Sequence, residues 1–213
     1  MIALAPLSDI YWMISTEFPG LNETSAIDWL RWAAHKLCSE TNASQDTIES
    51  SIGANDPILS YESPSTQVLV HRVMSVQAPR REIAIKSMEN LATENRDWRA
   101  MTGQPVACTP EAPGEMRLVP IPVDAETGII LRVALVPTWT ALKIDRDILN
   151  RYADAISLGA RGQILSMAGQ RWSDPVQGVR FTSLFHTAIG RIKPIGAMNN
   201  AYTEERPAIR RQF

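Results

Sequence analysis

Between Ala26 and Thr41, Ile27, Leu30, Ala34, Leu37, Cys38 and Thr41 recur at a spacing of three to four residues. That period lines one face of an amphipathic helix, with Ser25 or Thr24 available as its N-cap. Trp29 and Trp32 lie on the same helix, where core and rim packing is their expected role. Upstream, Leu7 to Ile14 predicts a short helix stopped at Pro19-Gly20. From Asp46 the period changes towards two. Thr47–Ile52, Pro57–Tyr61, Thr66–Val76 and Arg81–Ile85 read as strands, the last two joined across a turn at Pro79. A short helical or irregular insert follows at Ser87–Met101 and closes at Gly103. Strands are expected again at Pro105–Thr109, Glu115–Pro120 and Gly128–Pro137, punctuated by Pro110, Pro113-Gly114, Pro120, Pro122 and Gly128.

Helical periodicity returns after Asp145. Ile148, Leu149, Tyr152, Ala153, Ile156, Ala160, Ile164, Leu165 and Met167 form a long apolar stripe, broken before Gln170-Arg171-Trp172. Ala153, Ala155, Gly159, Ala160 and Gly162 keep this helix thin, so a neighbouring element can approach closely. Its two glycines each sacrifice about 1 kcal/mol of propensity relative to alanine, so packing on more than one side is expected. Ser173-Asp174-Pro175 predicts a cap with proline at the first position of a last helix. Val176, Val179, Phe181, Leu184, Phe185, Ala188, Ile189 and Ile192 supply its apolar contacts, and Pro194 marks its end. Beyond lies a polar stretch with scattered apolar residues and no period, a composition that orders only against a partner.

Together these elements predict an α+β body. Helices at the two ends of the chain (1–45 and 145–192) form a bundle that packs with a small antiparallel β-sandwich (46–144), making a single body over 1–192. An extended C-terminal arm over 193–213 follows. A chain of 213 residues with 45% hydrophobic composition can build such a core without metals or disulfides. Cys38 and Cys108 share no motif spacing and read as buried thiols. The first residues lack the pattern of a signal peptide, and no apolar run reaches eighteen residues, so no membrane span or membrane partner is expected. Asn22-Glu23-Thr24 and Asn42-Ala43-Ser44 match the glycosylation pattern by form only.

Charge is unevenly spread. Residues 1–144 hold 11 Lys/Arg against 17 Asp/Glu, whereas residues 145–213 hold 10 against 6. One end of the molecule therefore favours an acidic neighbour. The sequence contains no glycine-rich phosphate loop, zinc-binding His-Glu pair or nucleophile elbow. His35, His71 and His186 fall in three separate elements, each reading as a structural or surface residue. Adjacent basic residues reach only the doublets Arg80-Arg81 and Arg210-Arg211, and Trp12, Trp98, Trp139 and Trp172 are widely separated, a poor footprint for nucleic-acid binding. The residues thus predict a non-catalytic structural subunit without catalytic, cofactor or metal sites.

A series of short segments, in order, resembles the head-to-tail adaptor proteins of tailed bacteriophages, most closely the connector or tail tubular type of short-tailed phages. They are Ala33-Ala34-His35-Lys36-Leu37-Cys38, Gly103-Gln104-Pro105, Met116-Arg117-Leu118-Val119-Pro120-Ile121-Pro122 and Arg132-Val133-Ala134-Leu135-Val136-Pro137-Thr138, followed by Tyr152-Ala153-Asp154-Ala155-Ile156, Gly159-Ala160, Met167 through Pro175 and the Phe181–Ile189 helix. They cover most of residues 25–192. Each is weak alone, and their shared order carries the likeness.

The resemblance implies a subunit of a ring, usually of twelve copies, at the head-to-tail junction (the neck) of a virion assembled in the host cytoplasm. Its partners would be the portal protein, neighbouring copies of itself and a tail nozzle or stopper protein, with DNA only in passage through the channel. By the same analogy Lys193, Pro194, Tyr202, Arg206, Arg210, Arg211 and Phe213 belong to a portal-docking arm. Tyr152, Ala153, Ile156, Gly159 and Ala160 are expected to serve helix packing or subunit contact. The alternative is a non-catalytic β-sandwich binding module of a tail or receptor-binding accessory, which exposed aromatics gathered on one sheet face would favour. A hydrolase would instead need convergent carboxylates or histidines in one deep pocket.

Overall fold

The computed structural model describes residues 2–197. Strand β1 (Leu4–Pro6), a turn of 3₁₀ helix (Leu7–Ile10) and helix α1 (Trp12–Ser15) lead into α2 (Glu23–Thr41). The cap of α2 is Asn22, not Ser25 or Thr24. The Asn22 side chain accepts a hydrogen bond from the Thr24 backbone N–H at 2.9 Å, which satisfies one of the amides that a helix start leaves free. Ala26, Leu30, Ala33, Ala34, Leu37, Cys38 and Thr41 are buried along one face. The helix ends at Asn42, whose left-handed backbone (φ 51) carries its N–H back to the Cys38 carbonyl.

The strands follow as β2 (Gln45–Ile52), β3 (Ile58–Ser60), β4 (Val68–Ala78) and β5 (Arg81–Ile85). After the short helix α3 (Met88–Glu94) come β6 (Thr102–Gly103), β7 (Ala107–Ala112), β8 (Glu115–Val119), β9 (Ile121–Pro122) and β10 (Glu126–Pro137). The expected antiparallel sandwich is replaced by a continuous seven-stranded sheet in the order β2-β10-β4-β5-β7-β8-β3. It curls until its two outer strands meet, where the Ser50 hydroxyl donates to the Ser60 carbonyl at 2.7 Å, so the sheet is a nearly closed barrel. One pair, β5 with β7, is parallel, because the chain between them crosses over through α3.

Closure depends on curvature. The twelve-residue β10 pairs with both β2 and β4, and its register slips once against the former and twice against the latter. Such slips insert unpaired residues that bend a strand and increase its twist. Alternate residues of the curled sheet then point inward, and Leu59, Val76, Ile83, Leu118, Leu131 and Leu135 fill the interior. Leu91 of α3, with Trp98, Ala107 and Val119, forms a small separate cluster over the crossover.

Strand β11 (Lys143–Asp145) pairs with β1, and Asp145 opens helix α4 (Arg146–Leu165) by accepting the Asp147 N–H at 2.9 Å. The other Asp145 carboxylate oxygen accepts from the Ser44 hydroxyl at 2.7 Å, which ties the start of β2 to the start of α4. Helix α4 bends at Tyr152 (φ −127, ψ 18) and stops at Leu165, so Met167 falls beyond it. Helix α5 (Pro175–Ala197) starts as expected, with Asp174 accepting the Gln177 N–H at 3.0 Å and Pro175 in the first turn. It does not end at Pro194. Proline's fixed φ is itself helical, and so near the end of the helix its missing N–H forfeits only the bond to the Gly190 carbonyl.

Candidate interaction surfaces

Helices α2, α4 and α5 form one layer with its own core, distinct from the barrel interior. Helix α4 lies between the other two, which places the predicted thin face inside this chain. A Cβ on Gly159 would come within 2.9 Å of the Ala33 Cβ and 3.1 Å of the Phe185 ring. A Cβ on Gly162 would meet the Thr182 hydroxyl at 2.5 Å and the Thr182 backbone nitrogen at 3.1 Å. On the opposing helix, a Cβ on Gly178 would meet the Ser166 hydroxyl at 2.6 Å. The two helices thus touch almost backbone to backbone. Of the five residues expected in helix packing or subunit contact, Ile156, Gly159 and Ala160 are buried in this intramolecular seam, while Tyr152 and Ala153 are half-buried against it. Within the described chain these five residues serve helix packing, with α2 and α5 covering that face of α4.

Helix α5 is the outermost element of the layer. Phe185, Ile189 and Ile192 are buried beneath it and Phe181 and Ala188 half-buried, whereas Val176, Val179 and Leu184 are 80%, 67% and 43% exposed. The predicted contact stripe therefore divides, with three of its apolar residues facing outward. At 100° per residue, Val176, Val179, Arg180, Ser183, Thr187 and Arg191 share this outer side, and all are exposed. No acidic residue occurs between Asp174 and Glu204. The outer side of α5 is thus polar and cationic along most of its length, with Val176 and Val179 exposed in its first turns.

Of the proposed arm, Lys193 is described with its side chain and Pro194 as helical backbone. Tyr202, Arg206, Arg210, Arg211 and Phe213 lie outside the described residues. Lys193 is held on the body, its Nζ 3.2 Å from Glu40 Oε2, while Lys36 Nζ lies 3.0 Å from Glu40 Oε1. Burial alone would raise the Glu40 carboxyl, but hydrogen bonds from Lys36 and Lys193 outweigh it and hold the group below its ordinary range. A pKa depressed by folding contributes stability that is present above the ordinary range and lost as pH falls through the folded-state value. Glu40→Gln is therefore expected to cost less than about 1 kcal/mol at pH 7. The difference from wild type should close when the urea titration is repeated in acid.

Neither the models of known protein families nor the curated proteins compared with this chain match it. The chemistry of the remaining candidates is local. The His35 ring stacks on Trp139 at 4.1 Å between centroids, its Nδ1 lying 2.8 Å from the Pro137 carbonyl. Arg31 donates to the carbonyls of Ala141 (2.6 Å) and Trp139 (3.0 Å), fixing the loop before β11 against α2. His71 lies on β4 and His186 on the outside of α5. Among the described residues no group of three His, Cys, Asp or Glu side chains is placed to hold a metal ion, and no helix is long and apolar enough to cross a membrane.

Both cysteines are buried and free. Burial pushes both thiols up to about 12, with the Asp145 carboxylate adding to the effect at Cys38. Since the thiolate is the reactive species, neither cysteine should react with an aromatic disulfide reagent at pH 8 in the native protein. Both should react once guanidinium unfolds it, and the liberated chromophore counts them.

The sequence reading did not single out Gly178 or Asn42. Gly178 sits in the first turn of a helix, where a glycine carries no periodic signal, and the only local signal at Asn42 is its glycosylation-like triplet.

Proposed function

We propose that this chain is a structural adaptor subunit that forms a ring beneath a phage portal, joins the DNA-filled head to the tail and leaves a channel for DNA. The observation that carries this reading is the outer side of α5, where Val176 and Val179 are uncovered among the described residues beside Arg180 and Arg191, on a helix without acidic residues. Large exposed aliphatic side chains on a regular helix suit a protein contact, and the flanking cations suit an acidic surface on the neighbour. The ordered series of adaptor-like segments supplies the identity of the partners: the portal, further copies of this chain and a tail nozzle or stopper. Within residues 193–213, Arg206, Arg210, Arg211 and Phe213 act as the docking contacts. Many weak contacts engaged together in a ring make a durable joint without a catalytic step.

The alternative is a β-sandwich binding module, which needs aromatics gathered on a sheet face. The exposed tryptophans Trp12 and Trp139 instead lie on α1 and in the loop before β11, and this favours the adaptor.

Native mass measurements test the ring. A monomer alone that becomes many copies on the portal supports it, while a single copy per portal overturns it. Deleting residues 195–213 should abolish co-sedimentation with the portal, and undiminished binding would remove the arm from the account.

A further inference from the structure

Besides the seam between β2 and β3, the barrel opens at a second place among the described residues. Strand β4 pairs with β10 along its length, but β5 accompanies it only at Val76–Ala78 before leaving the sheet at Lys86 to enter α3. Strand β7 pairs with β5 only at Ala107 and Cys108, and from Thr109 to Ala112 it pairs with β8 alone. The edges of β4 over His71–Ser75 and of β7 over Thr109–Ala112 therefore face each other across an open groove of about 1170 Å³. Where β5 is present it spaces its two neighbours by two strand intervals, about 10 Å. One more extended segment fits the lane that β5 vacates.

Two further observations point to an occupant. Thr109 lines the groove at 1% exposure, and its hydroxyl has no partner among the described residues, a costly state for a buried polar group. Ile85 and Met88 line the same groove, each 38% exposed.

We propose that residues 201–205, Ala-Tyr-Thr-Glu-Glu, add as a strand to the free edge of β4 in their own chain and fill this gap. Proximity is the first argument. Lys193, in the last turns of α5, is paired with Glu40, two residues before Asn42, and Asn42 lines the groove. From Ala197 to Tyr202 an extended chain reaches about 16 Å. Charge complementarity is the second. His71 and Arg72 stand on the groove edge without an ion pair among the described residues, and the carboxylate of Glu111 is already held by Arg117 at 2.9 Å. The groove's unmatched charge is positive, and Glu204 and Glu205 supply the opposite sign. Tyr202 and Thr203 favour extended backbone, and Pro207, which cannot donate to a ladder, ends the strand. Backbone hydrogen bonds of this kind add a strand to an exposed sheet edge.

The proposal holds whether or not a ring forms, and it leaves Arg210, Arg211 and Phe213 beyond the barrel for a partner.

Hydrogen exchange on the full chain tests it. The amides within His71–Ser75 that point away from β10, into the groove, should be protected in the wild type. Thr203→Pro should lower that protection about tenfold by removing a donor from the added strand, with the Leu131 amide in the barrel unchanged as a reference. Arg72→Glu should lower it similarly, and Glu204→Arg with Glu205→Arg in the Arg72→Glu background should restore it. Protection unaffected by Thr203→Pro would overturn the proposal. Protection that grows with protein concentration would also overturn it, by assigning the groove to a second copy.

Discussion

Replacing Phe185 by alanine is expected to lower the unfolding free energy by about 4 kcal/mol, the largest single effect foreseen in the helical layer. The side chain is fully buried, its ring centroid lies 6.2 Å from that of Trp32, and its edge rests against the backbone at Gly159. Three helices meet on this ring. Removing it deletes the apolar area and leaves a cavity that α2 and α4 cannot close, because Ala33 and Gly159 have no side chains long enough to fill it. Urea titration followed by far-ultraviolet circular dichroism measures the loss. A cost below about 1 kcal/mol, the level of an ordinary surface change, would mean that the ring does not hold the layer together.

The second large effect comes from adding volume where the first removes it. Gly159→Val is expected to cost about 3 kcal/mol by overpacking, which for a chain of this size lowers the melting temperature by roughly 6–12 °C. The Ala33 Cβ, 2.9 Å from the new atom, is fixed to the backbone of α2 and cannot rotate away. Because Phe185 is the other neighbour, the two substitutions are coupled. In the Phe185→Ala background the valine enters space that the ring has left, so the double variant should be more stable than the sum of the single losses predicts. Strict additivity in the double-mutant cycle would show that the two sites do not share one space. Gly190→Ala is the control. No described atom lies within 4 Å of its added carbon, and it should be neutral or stabilising by up to about 1 kcal/mol.

Much of the fold is legible in periodicity. The 26–41 stripe, the Thr66–Val76 run and the Asp174-Pro175 start all reappear as elements, because each is specified by neighbours a few residues apart. The small residues of α4 also announced close approach, and Gly159 and Gly162 provide it. What was not legible depends on distant pairings. Nothing local to Arg81–Ile85 indicates that this strand leaves the sheet early and lies parallel to β7, and both facts follow from the crossover through α3. The sandwich expectation failed for the same reason, since short alternating strands suit a sandwich and a rolled sheet equally. Val176 and Val179 fit an apolar stripe by spacing, yet α5 packs on one side only, and so its first turns show those residues to solvent. The proposed arm was read from composition, and only Lys193 among its named side chains lies within the described residues.

The order of elements along the chain has a consequence for biosynthesis. Helix α2 is made early, but the helices that cover its apolar face are encoded after the whole barrel. Roughly 150 residues separate Leu30 from Phe185, so at ribosomal rates of 5–20 residues per second Leu30, Ala33 and Leu37 wait roughly 8–30 s for their final neighbours. During that interval a nascent chain carries an oily ridge beside a barrel that can already close, and nearby chains on the same message are the surfaces it meets first. Leu30, Ala33 and Leu37 are therefore the residues through which a nascent chain is most open to chaperones or to its neighbours before α4 and α5 arrive.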